Sequence, residues 1–448
     1  MNGQQTLSEG RQCLRLASQN IVNNQISLRA YIHERVNTYN SGKDNQVQVD
    51  PLVYAHSHAT TDVKELLHDK LSREEKRNFA AYIKKCEDSN IIDRRIETGR
   101  AKRVTFDSVI KLRKLFGFSS WGDDHDSMVV GVQNQKGGTG KTTTGTTYAV
   151  GIAGNIDVDA KVALLDLDPQ GSGGVTTMDQ KGLSDEDTIV TLVDILLYKL
   201  EANNHKGVDY LGNESNDLRV NQVSQMVELG LTIEDIIEGS LMNSHLSSLK
   251  VLPSFPTDNR FSEIFYHLDI EQRLELARFF TNVVIPTLKK HFDFIIFDVA
   301  PSDVPINWLS IDAVEFLITP FTPNYFDYIS TRDFLVTTDK RLDGLYSKGK
   351  NLLSFMVLPV NVDDSDKTQR SVITKAAKDF GLAMSSKRIY RNKLFTEAAS
   401  KECTIYDLRP LSDADTTTQT GEKALSNMNE VIGDFLNRVS QLKSKRAA

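Results

Sequence analysis

Apolar positions recur at helical spacing in the first part of the chain. Leu14, Ala17, Ile21, Leu28, Ile32 and Val36 follow one another at three- to four-residue and seven-residue steps, with polar residues between them. That periodicity predicts an amphipathic helix, serving either dimerisation or packing within its own domain. The polar stretch 40–50, with Ser41-Gly42, reads as a loop. Ser72-Arg-Glu-Glu75 is a capping-box pattern ahead of a stretch holding Phe79, Tyr82 and Ile83. All of residues 1–125 reads as helical, up to the short acidic segment Trp121–Ser127. Beyond it the pattern changes to unbroken apolar runs: Met128–Val132, Val162–Asp168, Phe292–Asp298, Phe316–Thr319 and Leu352–Val360. Such runs, separated by helix-compatible stretches, predict a mostly parallel sheet buried on both faces. The expected organisation is an N-terminal helical region (1–50), a second helical module (51–125) and an α/β domain (126–448). A long, mostly polar and helical insertion occupies 174–250.

Composition narrows the class. A chain of 448 residues exceeds one ordinary core. No run of eighteen apolar residues occurs, so no membrane-spanning helix is expected, and the polar first ten residues lack the apolar stretch of a secretory signal. Cys13, Cys86 and Cys403 are too few and too far apart for a disulfide framework or a cysteine zinc site, which suits a reducing cytoplasm. The net charge is −7, yet between Leu71 and Phe118 thirteen Lys/Arg stand against seven Asp/Glu. A basic module on an acidic protein points to one nucleic-acid-facing part.

The chemistry concentrates in Gln135-Lys-Gly-Gly-Thr-Gly-Lys-Thr-Thr143, which follows an apolar strand and opens a helix. Glycines let main-chain N–H groups wrap a phosphate chain, and the helix N-terminus favours anions. Lys141 is placed to reach β- and γ-phosphates, and the Thr142 hydroxyl to reach Mg²⁺. The ordinary phosphate-loop pattern requires glycine six residues before the Lys-Thr step, where this chain has Gln135.

The departure is informative. Lys136-Gly137-Gly138-Thr139-Gly140-Lys141-Thr142-Thr143 resembles the deviant Walker A motif of the ParA/MinD family of P-loop ATPases. Leu164-Leu-Asp-Leu-Asp-Pro-Gln-Gly171 resembles that family's switch I, and Asp293-Phe-Ile-Ile-Phe-Asp-Val-Ala-Pro-Ser302 its Walker B and switch II, with Ala300 where the family writes proline. The resemblance covers about residues 128–410. It implies ATP and Mg²⁺ as ligands and an ATP-sandwich homodimer in which Lys136 reaches the phosphates of the other subunit. It implies that Asp168 positions the attacking water, that Asp166 supports the loop and Lys136, and that Asp298 stands near the Mg²⁺ held with Thr142.

The long N-terminal region makes the chain look like the larger ParA subclass, which carries a winged helix-turn-helix and represses its own operon. Arg94, Arg95, Arg100, Lys102 and Arg103 cluster where a basic wing would lie, and a solvated basic face is the plainer alternative. Arg388, Arg391 and Lys393 are candidates for the family's sequence-independent DNA contacts. The implied function is segregation of a plasmid or chromosome by a cytoplasmic, nucleoid-associated ATPase that is stimulated by a ParB-like partner. The alternatives are a membrane-cycling positioning ATPase of the MinD kind and a transcriptional repressor for which nucleotide is only a ligand. The C-terminal stripe Leu425, Met428, Ile432, Phe435, Val439 and Leu442 fits a helix packed on the sheet better than a membrane anchor, so no stable membrane association is expected.

Overall fold

The computed structural model describes residues 50–98, 101–170, 172–179, 189–201, 218–408 and 416–444. The stripe from Leu14 to Val36, Arg100 and part of the 174–250 insertion lie outside the described residues. The chain divides into two units, Met1–Tyr54 and Ala55–Ala448. In the first, the Asp50 carboxylate accepts from the Leu52 amide where the helix Pro51–Ala55 begins.

The second unit opens with the helices Thr60–Leu66, Arg73–Arg77, Phe79–Asp88 and Phe106–Leu115. The capping box forms as read: Glu75 N donates to Ser72 Oγ at 3.3 Å, and Ser72 N donates to Glu75 Oε2 at 2.7 Å. Val63, Leu67, Phe79, Ile83, Val109 and Leu112 build a small core. The stretch is not all helical. β1 (His58–Ala59), β2 (Ile96–Thr98) and β3 (Ala101–Val104) form an antiparallel sheet in the order β1-β3-β2. These strands are too short and too charged for alternation to reveal them: among the described side chains of β2 and β3, Ile96 and Val104 are the buried apolar ones.

The main sheet has seven strands: β4 (Met128–Val132), β5 (Val162–Asp166), β6 (Met242–Asn243), β7 (Leu249–Leu252), β8 (Phe294–Asp298), β9 (Phe316–Phe321) and β10 (Ser354–Pro359). Their order is β10-β9-β4-β8-β5-β7-β6, parallel throughout except for β6 against β7. Every residue of β4, β5, β8 and β9 is buried. Alternate residues serve two cores, as a pleated strand requires. Ala163, Leu165, Ile295 and Phe297 face one, with the helices Leu192–Glu201, Arg260–His267 and Pro305–Ala313. Val162, Leu164, Phe294 and Ile296 face the other, with the helices Lys141–Ala153 and Thr418–Lys443.

Of the C-terminal stripe, Leu425, Met428, Ile432, Phe435 and Val439 are spent on this second core, while Leu442 stays exposed. The Phe435 ring lies 5.4, 6.0 and 5.2 Å from the rings of Tyr148, Phe294 and Phe316, so the apolar face is not free for lipid. Among the described residues no helix is long and apolar enough to cross a membrane.

Candidate nucleotide site

The parallel sheet brings three segments to the carboxyl ends of adjacent strands, the edge where open α/β sheets bind ligands. β4 runs into the glycine-rich loop. Asn134, fully buried, anchors its start: Nδ2 donates to Pro320 O and Thr331 Oγ1, both at 2.9 Å, and Oδ1 accepts from Lys136 N at 3.2 Å. Gly138 and Gly140 adopt φ of 76° and 74°, a region that side chains disfavour. A Cβ on Gly137 or Gly138 would meet no protein atom, so the loop opens outward there. Lys141, at the head of the helix, is buried and donates to Lys136 O at 3.0 Å, folding over the loop. Burial pulls its pKa down, opposed by Asp298 and Asp168. Lys136 itself is exposed at the rim.

Asp166 ends β5 and Asp298 ends β8, and the two are directly paired in register. Both are buried. Asp166 accepts from the amides of Asp168 (3.0 Å) and Gly174 (2.6 Å), which holds the switch I turn on it. Asp298 has no such support. Its two oxygens are buried beside the Thr142 hydroxyl without an aligned hydrogen bond. A Cβ on Gly173 would lie 2.7 Å from Asp298 Oδ2, so only glycine closes over the pair. Burial first, then the charge of Asp168, raises Asp166 to about 7 against two backbone amides. Burial and the charge of Asp166 raise Asp298 well above its ordinary value. A buried carboxylate with orphaned oxygens is what a divalent cation relieves. Thr142 and Asp298 therefore fit a magnesium ion, with Asp166 alongside.

Asp168 is half-buried, and its Oδ1 accepts from Gln170 N at 3.0 Å. The turn after β8 is held by Asn307, whose Nδ2 donates to Ala300 O (2.8 Å) and Ser302 O (2.7 Å).

Beside the loop lies a cavity of about 720 Å³, of nucleotide size. Gly138, Gly140 and Thr144 form one wall, and Asn361, Arg391, Asn392 and Lys393 another. The sequence reading named no residue for the base side of a nucleotide. Asn361, directly after Leu358-Pro-Val360 at the end of β10, lines the cavity and was not among the residues singled out from the sequence. Arg391 and Lys393, read from the sequence as candidate DNA contacts, line this cavity. Arg388 pairs with Asp364 at 3.1 Å.

The basic N-terminal residues are divided. Arg95 lies in a two-pronged, largely buried ion pair with Glu87 at 2.8 and 3.0 Å. Arg103 reaches back to Ser57. Lys102 forms an exposed cross-strand pair with Glu97, and Arg94 is exposed.

Residues 127–343 match the family model described as an AAA domain. The match marks this span as an AAA-type domain. A solved partition protein aligns over 94% of this chain and 98% of its own, at 15% identity and a TM-score of 0.56, a likeness of fold. Apo McdA of Cyanothece aligns over 68% of this chain and 99% of its own (17% identity, TM-score 0.46). The cobyrinic acid a,c-diamide synthase of Mycobacterium smegmatis, solved with an ATP analogue and magnesium, aligns over 69% and 94% (17%, 0.46). No curated protein matches the sequence.

Proposed function

We propose that the protein is a DNA-partition ATPase: it binds ATP with magnesium, closes into a homodimer, holds DNA without sequence preference in that state, and is released when a ParB-like partner stimulates hydrolysis. The observation that carries this reading is the pairing of two lysines with two fates. Lys141 is drawn into its own loop, whereas Lys136 stands exposed at the rim, where a second subunit's phosphates would meet it.

Thr142 and Asp298 would hold the magnesium, which supplies charge neutralisation on the phosphate oxygens. Lys141 and the loop amides bind the phosphate chain. Asp168, at the mouth of the switch I turn, orients the attacking water and accepts its proton. Lys136 stabilises charge developing on the γ-phosphoryl oxygens across the dimer. The hairpin of β2 and β3, with exposed Arg94 and Lys102 near it, reads as the wing of an operator-binding module, the basis of a second role in repressing its own operon.

The test is binding of the purified chain to random-sequence DNA with ATP, with ADP and with neither. Binding promoted by ATP alone, and weakened steeply by salt, is the expected result. Binding indifferent to nucleotide would defeat the motor reading and leave operator repression as the account.

A further inference from the structure

Outside the nucleotide site, three side chains up to 351 positions apart in sequence converge. His56 Nε2 lies 2.7 Å from Asp407 Oδ1, and His245 Nε2 lies 2.9 Å from the same oxygen. All three donor atoms fall within 4.8 Å of one another. The side chains are 8%, 7% and 1% exposed. The carboxylate is oriented for this task. Its other oxygen accepts from Thr404 N and Thr404 Oγ1, both at 2.7 Å, which turns Oδ1 toward the histidines. Ser244 Oγ stands 3.3 Å from His245 Nδ1 and fixes that ring from behind.

A closed hydrogen-bonded cluster would leave no nitrogen over, yet His245 Nε2 is buried without an aligned hydrogen bond, despite its closeness to Oδ1. Two imidazoles and one carboxylate are a three-ligand set for a zinc-class cation, with a fourth position for water. Donors around such an ion stand about 3.3 Å apart, from metal–ligand distances of roughly 2.0–2.1 Å in a tetrahedron. The two histidine–carboxylate distances would need to lengthen by about 0.6 and 0.4 Å to reach that spacing. The surroundings also favour a cation. A Cβ on Gly154 would lie 3.1 Å from His56 Nδ1, which places the cluster at the carboxyl end of the helix Lys141–Ala153.

We propose that His56, His245 and Asp407 bind one divalent transition-metal ion of the zinc class. The ion clips the residue that enters β1 to the β6–β7 turn and to the turn after the helix Lys393–Ser400. The site is independent of the nucleotide chemistry at the other end of the phosphate-loop helix.

The experiment uses the full chain, stripped with a chelator and titrated with zinc chloride against a chromogenic indicator. Cobalt(II) is added in parallel and read by visible absorption. One equivalent of zinc binds, and cobalt gives the intense bands of a four-coordinate site. His245→Ala and Asp407→Asn each weaken zinc by roughly two orders of magnitude, whereas exposed His267→Ala leaves it unchanged. Should the variants fail to fold, zinc protection of His56 and His245 from acylation in the wild-type chain, mapped by mass spectrometry, gives the same answer. Absence of saturable zinc binding, equal binding by both variants, or unprotected histidines overturns the proposal.

Discussion

Asp298 shows how one residue carries both a cost and a function. Its carboxylate is buried, unsupported and next to Asp166. A carboxyl whose folded pKa lies above its unfolded value keeps its proton longer in the native state. Stability is then lost as pH rises, beginning near the ordinary value of 3.8 and complete above the folded value, about 7 for Asp166. The metal-free protein should therefore become less stable between about pH 4 and pH 7, and magnesium with nucleotide should restore it. Asp298→Asn should raise the metal-free melting temperature at pH 7.5 by about 3 °C or more while abolishing magnesium-dependent nucleotide binding. A thermal melt in chelator, paired with a nucleotide titration, checks both arms. Asp168 is the counterpart. It has no part in either core, so Asp168→Ala should bind ATP and dimerise as the wild type does but hydrolyse about 10²–10³ times more slowly, read as single-turnover phosphate release. Normal turnover would remove Asp168 from the mechanism.

The helices that frame the site are set by close packing. Gly151 on the phosphate-loop helix faces the C-terminal helix, where an added Cβ would sit 2.5 Å from Ile432 Cδ1 and 2.6 Å from Tyr406 Cε2. Gly151→Ala should cost about 1–3 kcal/mol through overpacking and lower the melting temperature without touching the phosphate loop's own residues. Denaturant unfolding measures the cost, and an unchanged midpoint would mean that the two helices separate easily. Elements of this kind were legible in sequence when they were long and apolar. β4, β5, β8, β9 and β10 were read within a residue or two, the first four because every residue is buried and β10 because its last four are. β1, β2 and β3 were not, since a two- to four-residue strand with one buried side chain has no period to detect.

For the whole molecule, the test is whether the basic module and the ATPase act separately. Among the described basic residues of the β2–β3 region, Arg94 and Lys102 are exposed, Lys102 in a surface pair with Glu97, while Arg95 and Arg103 are engaged within the fold. Arg94→Glu with Lys102→Glu should weaken operator binding by about tenfold or more, as loss of phosphate contacts does, and leave ATP turnover unchanged. Equal affinity in a salt-controlled binding assay would place the operator contacts elsewhere.

By itself, the sequence determined the local chemistry: the glycine spacing that allows a phosphate loop, the two lysines that bracket it, the carboxylates at the ends of apolar runs and the parallel sheet beneath them. All of these depend on residues near one another in the chain, where periodicity and steric freedom act directly. Only the tertiary structure decided which distant residues meet. It put Asp166 against Asp298, Asn361 and Arg391 beside the phosphate loop, Arg95 into an internal ion pair, and His56 and His245 on one oxygen of Asp407. Those contacts follow from strand order and helix packing, which are settled by the burial of two whole sheet faces and leave no trace in any short window of sequence.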